Sequence, residues 1–142
     1  MTSRDLQRIY YIHREIDLYT AKLRTLRSRS LVGGGKLDGM PRAGAEGDAV
    51  SSAAIKAADL EETIKKLRDQ LIDTETETMA FISGIDDSLI RQTVYLRFVC
   101  CLTWKQVARK VGGGNTADSC RKMVRRFIQQ DVRFVRQEGD KI

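Results

Sequence analysis

The chain is poor in the residues that break helices, in those that bind transition metals and in those that build large cores. Of its 142 residues one is proline and one is histidine, three are cysteines, and aromatic residues make up 6%. With proline this scarce, the strong helix formers Leu, Ala, Arg, Lys and Glu set the local preference, and helix is the expected secondary structure. A single histidine, His13, does not make a zinc site without help from distant cysteines, so no metal and no cofactor is expected. Two of the cysteines, Cys100 and Cys101, are adjacent, which ordinary disulfide geometry does not easily join. Together with Cys120 they read as small apolar residues of a protein in a reducing compartment. No apolar run approaches the roughly 18 residues that a membrane-crossing helix needs, and the polar start from Thr2 to Arg8 is unlike a signal peptide. The expected location is the cytoplasm, with no membrane partner.

What is present is charge, unevenly spread. Residues 1–30 hold seven Lys/Arg against three Asp/Glu, residues 48–82 four against eight, and residues 103–136 nine against two. The last third therefore carries the excess behind the formal net charge of +6, as a polyanion-binding segment would.

Apolar residues recur at alternating spacings of three and four along two long stretches. Ile9, Ile12, Ile16, Tyr19, Leu23 and Leu26 draw one stripe between Ser3 and Arg29; Val50, Ala53, Ala57, Leu60, Ile64, Leu67, Leu71, Thr74, Thr78 and Phe81 draw a second, up to about Ile82. The hydroxyls of Thr74 and Thr78 should weaken the second stripe, leaving its tightest packing between Leu60 and Leu71. Between the stretches, residues 30–48 hold six glycines and Pro41 and read as a connector. The string Gly33-Gly34-Gly35-Lys36 within it is not a phosphate loop, because Leu37 stands where Ser or Thr is required and no strand precedes it. One basic and one acidic amphipathic helix joined in this way suit a coiled-coil-like antiparallel hairpin, and the same stripes could instead build a homo-oligomer.

Ser83-Gly84 ends the second stretch, and Asp86-Asp87-Ser88 offers N-caps for a third helix bearing Leu89, Ile90, Val94 and Phe98. Thr103 caps a short fourth helix from Trp104 to Val111, whose inner face is Trp104, Val107, Ala108 and Val111. Gly112-Gly113-Gly114-Asn115 breaks the chain, and Thr116 caps a fifth helix with Cys120, Met123, Val124 and Phe127 inward. Two short helices around a glycine turn, the second basic on its outer side, form the pattern of a helix-turn-helix. Asp118, Ser119, Arg121, Lys122, Arg125 and Arg126 lie off the apolar stripe of that second helix. Arg121 and Arg125, one turn apart, can each present a planar donor fork to guanine or phosphate. Asp118 can accept from cytosine or simply favour the helix dipole. Trp104 is expected in the core rather than stacked on a base, and the paired acids Asp86-Asp87 serve as caps rather than catalytic carboxylates. The chain is not expected to be an enzyme.

The stretch DSLIRQTVYLRFVCCLTWKQVARKVGGGNTADSCRKMVRRFI, residues 87–128, resembles the fourth region of bacterial sigma factors, and more closely the small bacteriophage and prophage proteins that share that module behind a helical N-terminal segment. The resemblance rests on the "LRF" before a short loop, on Thr103-Trp104-Lys105-Gln106-Val107-Ala108, and on the late basic helix. It implies regulation of transcription in a bacterial host cell through double-stranded DNA, with RNA polymerase a further candidate partner. By the same resemblance, Thr103 and Lys105 would touch phosphate, and Ser119, Arg121, Lys122 and Arg125 would face the groove. The turn at Gly112 to Asn115 is about two residues longer than the sigma pattern, so no base preference carries over, and the aromatic-rich promoter-melting region is missing. The expected organisation is thus all-α: a hairpin over 1–82, then a three-helix helix-turn-helix domain over 86–136 that includes Thr116 among its DNA-binding residues. Two alternatives remain open on sequence alone, a small terminase-like DNA-packaging subunit and a protein-interaction adaptor that binds no DNA.

Overall fold

The computed structural model of the chain describes residues 1–35 and 45–131, and side chains are described for 1–29 and 52–131. Among these residues the fold is all-α, without a strand. Helix α1 spans Ser3–Gly35, α2 Ala45–Ser83, α3 Ser88–Val94, α4 Trp104–Val111 and α5 Ala117–Gln130; between α3 and α4 the chain continues as a π-helical turn, Tyr95–Val99. Both long helices run into the segment expected as a connector, which leaves only residues 36–44 between them, outside the described residues. The side chain of Val50 and the stretch 132–136 also lie outside them.

Packing divides the chain into two units. One joins Met1–Ile12 to the described residues from Leu71 onward; the other is His13–Gln70. Leu6 at the start of α1 is fully buried in one cluster with Ile82, Ile85, Val94 and Val124. Around that cluster α3, α4 and α5 each touch the other two. A second cluster, Val107, Ala108 and Cys120, holds α4 to α5, and half-buried Trp104 packs against both.

Within the second unit Leu23, Leu26 and Ile64 are buried. Arg27 of α1 pairs there with Glu61 of α2, an exposed ion pair of little energetic weight.

Ile64 is buried within the expected stretch of the second stripe, but the stripe does not weaken at its threonines. Thr74 and Thr78 are 4% and 1% exposed, whereas Leu60, Leu67 and Leu71 are only half-buried. The reason is local: Thr78 donates its hydroxyl to the carbonyl of Thr74 at 2.8 Å, so a threonine enters the core with its polar group satisfied and its methyl available for packing.

Caps fix where the shorter helices begin. Asp87 accepts from the backbone N–H groups of Leu89 and Ile90 at 2.8 and 3.1 Å. Thr103 and Gln106 form a reciprocal capping box at α4, and Thr116 and Ser119 do the same at α5. Each such cap contributes about 0.5–2 kcal/mol.

Candidate nucleic-acid interface

Three local features set how α4 and α5 present their outer faces. The first is the π turn, in which the N–H of Cys100 reaches the carbonyl of Tyr95 at 3.1 Å, widening the end of α3 by one residue. Cys101 then takes a left-handed φ of 57°, uncommon for a residue with a Cβ, and turns the chain toward Thr103. Arg97 locks this corner: its Nη1 donates to the carbonyl of Leu102 at 2.9 Å while its guanidinium carbon lies 4.7 Å from the centre of the Trp104 ring. A cation over an indole contributes about 0.5–2 kcal/mol, depending on its exposure.

The second feature is the turn between α4 and α5. Gly112, Gly113 and Gly114 take φ values of 68°, 65° and 75° in succession. A Cβ would meet no steric obstacle at Gly112 or Gly114, so it is the left-handed backbone, and not lack of space, that calls for glycine. Asn115 closes the turn, donating from both its backbone N–H and its side-chain Nδ2 to the carbonyl of Gly112, at 3.2 and 2.9 Å.

The third is the lattice of side chains along α5. Asp118 receives Arg121 Nη2 at 2.7 Å and Lys122 Nζ at 2.9 Å. The hydrogen bonds from Lys122 and then Arg121, with their charges, hold the Asp118 carboxyl below the usual carboxylate range. The carboxylate is therefore already engaged by this helix's own cations.

Of the residues assigned to the site from sequence, Thr103, Lys105, Thr116, Asp118, Ser119, Arg121, Lys122, Arg125 and Arg126 are all exposed. They divide by what their polar atoms do. Thr103 and Thr116 act as caps. The Ser119 hydroxyl is also committed to the cap: it accepts from the N–H of Thr116 at 2.8 Å and donates to the Thr116 carbonyl at 2.9 Å. Arg121 and Lys122 hold Asp118. Lys105, Arg125 and Arg126 form no ion pair among the described residues. Arg109 and Lys110 are exposed cations that the sequence reading left out of the site; at the last turn of α4 they also face the negative end of the helix dipole.

On the flank of α5 away from Arg121 and Arg125 runs a cleft of about 560 Å³, floored by Ile90, Met123 and Phe127 and rimmed by Lys122 and Arg126. Sequence reading had no means to find it, because it depends on how far Ile90 of α3 stands from α5.

The cysteines do not behave alike. Cys120 is fully buried, as expected of a small apolar residue, but Cys100 is exposed and Cys101 half-buried. Burial pushes the Cys101 thiol up, which disfavours the reactive thiolate. His13 is exposed on α1. No cluster of three His, Cys, Asp or Glu able to hold a metal occurs among the described residues, and none of their helices is long and apolar enough to cross a membrane. Comparison with protein-family models, with curated proteins and with solved structures found no match to this chain.

Proposed function

We propose that the chain binds double-stranded DNA in a sequence-specific manner through a helix-turn-helix made of α4, the glycine turn and α5, and that it regulates transcription in the manner of the phage and prophage proteins it resembles. In this reading α5 enters the major groove, α4 lies across it, and α3 braces both. Long helices α1 and α2 form a hairpin that offers a surface for a protein partner, RNA polymerase or another copy of the chain. The opposite net charges of residues 1–30 and 48–82 and the pairing of Arg27 with Glu61 support that arrangement.

One observation carries the DNA reading. The outer side of α5 presents Arg121, Lys122, Arg125 and Arg126 with a single acid, Asp118, among them. Arg125 and Arg126 are not neutralised by any acid among the described residues, and Lys105 adds a cation near the start of α4. Thr103, Thr116 and Ser119 serve by ordering the starts of α4 and α5 rather than by donating their hydroxyls to DNA. Arg121 and Arg125 are the donors to base edges; Lys105, Lys122 and Arg126 take phosphates.

A gel-shift titration on the full chain at several salt concentrations tests this. Affinity should fall steeply with salt, and Arg125→Ala or Arg121→Ala should weaken binding by about 1–3 kcal/mol and relax base specificity, as loss of a base contact does. Salt-insensitive binding that both substitutions leave unchanged would contradict the assignment.

A further inference from the structure

We infer that Cys100 and Cys101 are a reversible oxidation site: a hydroperoxide converts the two adjacent thiols to a vicinal disulfide, and the bond loosens the joint between α3 and α4. The inference holds whether or not the chain binds DNA.

The thiols differ in access, which sets the order of reaction. Cys100 is exposed at the end of the π turn, Cys101 is half-buried, and Cys120 is fully buried and out of reach of an oxidant in solvent. The Tyr95 hydroxyl hydrogen-bonds Cys100, and that bond together with the Cys100 charge raises the phenol above its usual range. The exposed sulfur is thereby held at the π turn. The Cys101 Sγ lies 3.8 and 3.7 Å from the carbonyl oxygens of Phe98 and Val99, within reach of a thiol donor. Burial first, and then the neighbouring Cys100, keeps Cys101 protonated, so the two sulfurs are near enough for one charge to act on the other. Cys100 therefore meets the oxidant, and Cys101 follows as the resolving thiol.

The chemistry closes without a further reactant. The Cys100 thiolate attacks a peroxide oxygen, the O–O bond breaks, and the sulfur becomes a sulfenic acid while the other oxygen leaves and takes up a proton. The Cys101 thiolate then attacks the Cys100 sulfur; the S–S bond forms, the S–O bond breaks, and water departs. The thiols give up two electrons and two protons, and the peroxide is reduced. Neighbouring residues hold their Cα atoms about 3.8 Å apart, below the roughly 4.4 Å at which ordinary disulfides begin. The bond is strained and easily reduced again, as regulatory disulfides are and structural ones are not.

The place of the pair gives oxidation a consequence. Bonding to Cys100 draws the Cys101 sulfur off the carbonyls of Phe98 and Val99, at a residue already in left-handed backbone. The next residue, Leu102, donates its N–H to the carbonyl of Leu96 at 3.2 Å and accepts from Arg97 at 2.9 Å. Phe98 and Val99 pack against the first buried cluster, Leu96 and Leu102 against the second, and Trp104 against both. A shift at Cys101 is therefore passed through closely packed side chains to the start of α4.

The test treats the full-length chain, reduced and dilute, with hydrogen peroxide, and follows it by mass spectrometry after the remaining thiols are alkylated and by amide hydrogen exchange. The expected product is a monomer lighter by two hydrogens, its bond mapped to Cys100 and Cys101, with faster exchange over residues 102–111 than in the reduced chain; dithiothreitol should reverse both. Cys101→Ser should stop at a Cys100 sulfenic acid that dimedone traps, and Cys100→Ser should consume peroxide several-fold more slowly. A wild-type chain that does not react, that accumulates sulfenic or sulfinic acid at Cys100 as Cys101→Ser does, or that joins two chains or uses Cys120 would overturn the inference. So would a vicinal bond that leaves exchange in α4 unchanged.

Discussion

At the scale of single residues, the outer face of α5 is organised by one acid. Asp118 stands three residues before Arg121 and four before Lys122, the spacings at which helical side chains meet, so the pairing was legible in the sequence as soon as that periodicity was applied to charges as well as to apolar residues. What sequence could not weigh is the consequence: a carboxylate held by its own two cations is a poor acceptor for cytosine and a brake on phosphate binding. Asp118→Asn should release Arg121 and Lys122 and raise affinity for any duplex, steepening the salt dependence by about one unit of slope. Fluorescence anisotropy with unrelated duplexes reads this directly, and an unchanged or weaker affinity would show that Asp118 contacts DNA itself. Because its folded pKa is depressed, the small stability this exposed pairing adds is present at neutral pH and lost only as pH falls through that lowered value.

At the scale of elements, the apolar stripes and the capping residues were readable and the irregular joints were not. Thr103 and Thr116 announce helix starts because a hydroxyl ahead of a helix has one obvious use. The burial of Thr78 was hidden, since it depends on a hydroxyl turning back to the carbonyl of Thr74, which rewards threonine where spacing alone favours leucine. The π turn and the left-handed Cys101 carry no sequence mark at all; they occur together with the contacts of Arg97 to the carbonyl of Leu102 and over the ring of Trp104. Glycine at three consecutive positive φ values is a firmer prediction. Gly114→Ala should lower stability by about 1–2 kcal/mol, the cost of placing a Cβ in left-handed backbone, with no packing penalty added. Chemical denaturation measures it; a neutral result would mean that the turn has a second backbone conformation open to it.

At the scale of the molecule, an all-α fold was legible among the described residues, from proline scarcity and three-four spacing. The placement of the core was not, because Leu6 and Ile85 lie just beyond the two stripes and share their cluster with Val94 and Val124 of later helices. Leu6 is fully buried against Ile82, Val94 and Val124, so the helices proposed to hold DNA are stabilised in part by the first turns of α1. Leu6→Ala should cost about 2–5 kcal/mol, as large-to-small changes in a packed core do, and should loosen α3 and α5 together in hydrogen exchange. Loss of protection confined to α1 would show that the C-terminal helices fold without it.

The central claim is that duplex DNA is bound by the outward side of α5 and the start of α4. Amide chemical shifts of the full-length chain, followed as a short duplex is added, locate the contact without assuming which residues matter. The account predicts that the largest changes fall at Thr103 to Lys105 and Thr116 to Arg126, with Arg121 and Arg125 prominent. Changes centred on α1 and α2 instead, or none at low salt, would contradict it.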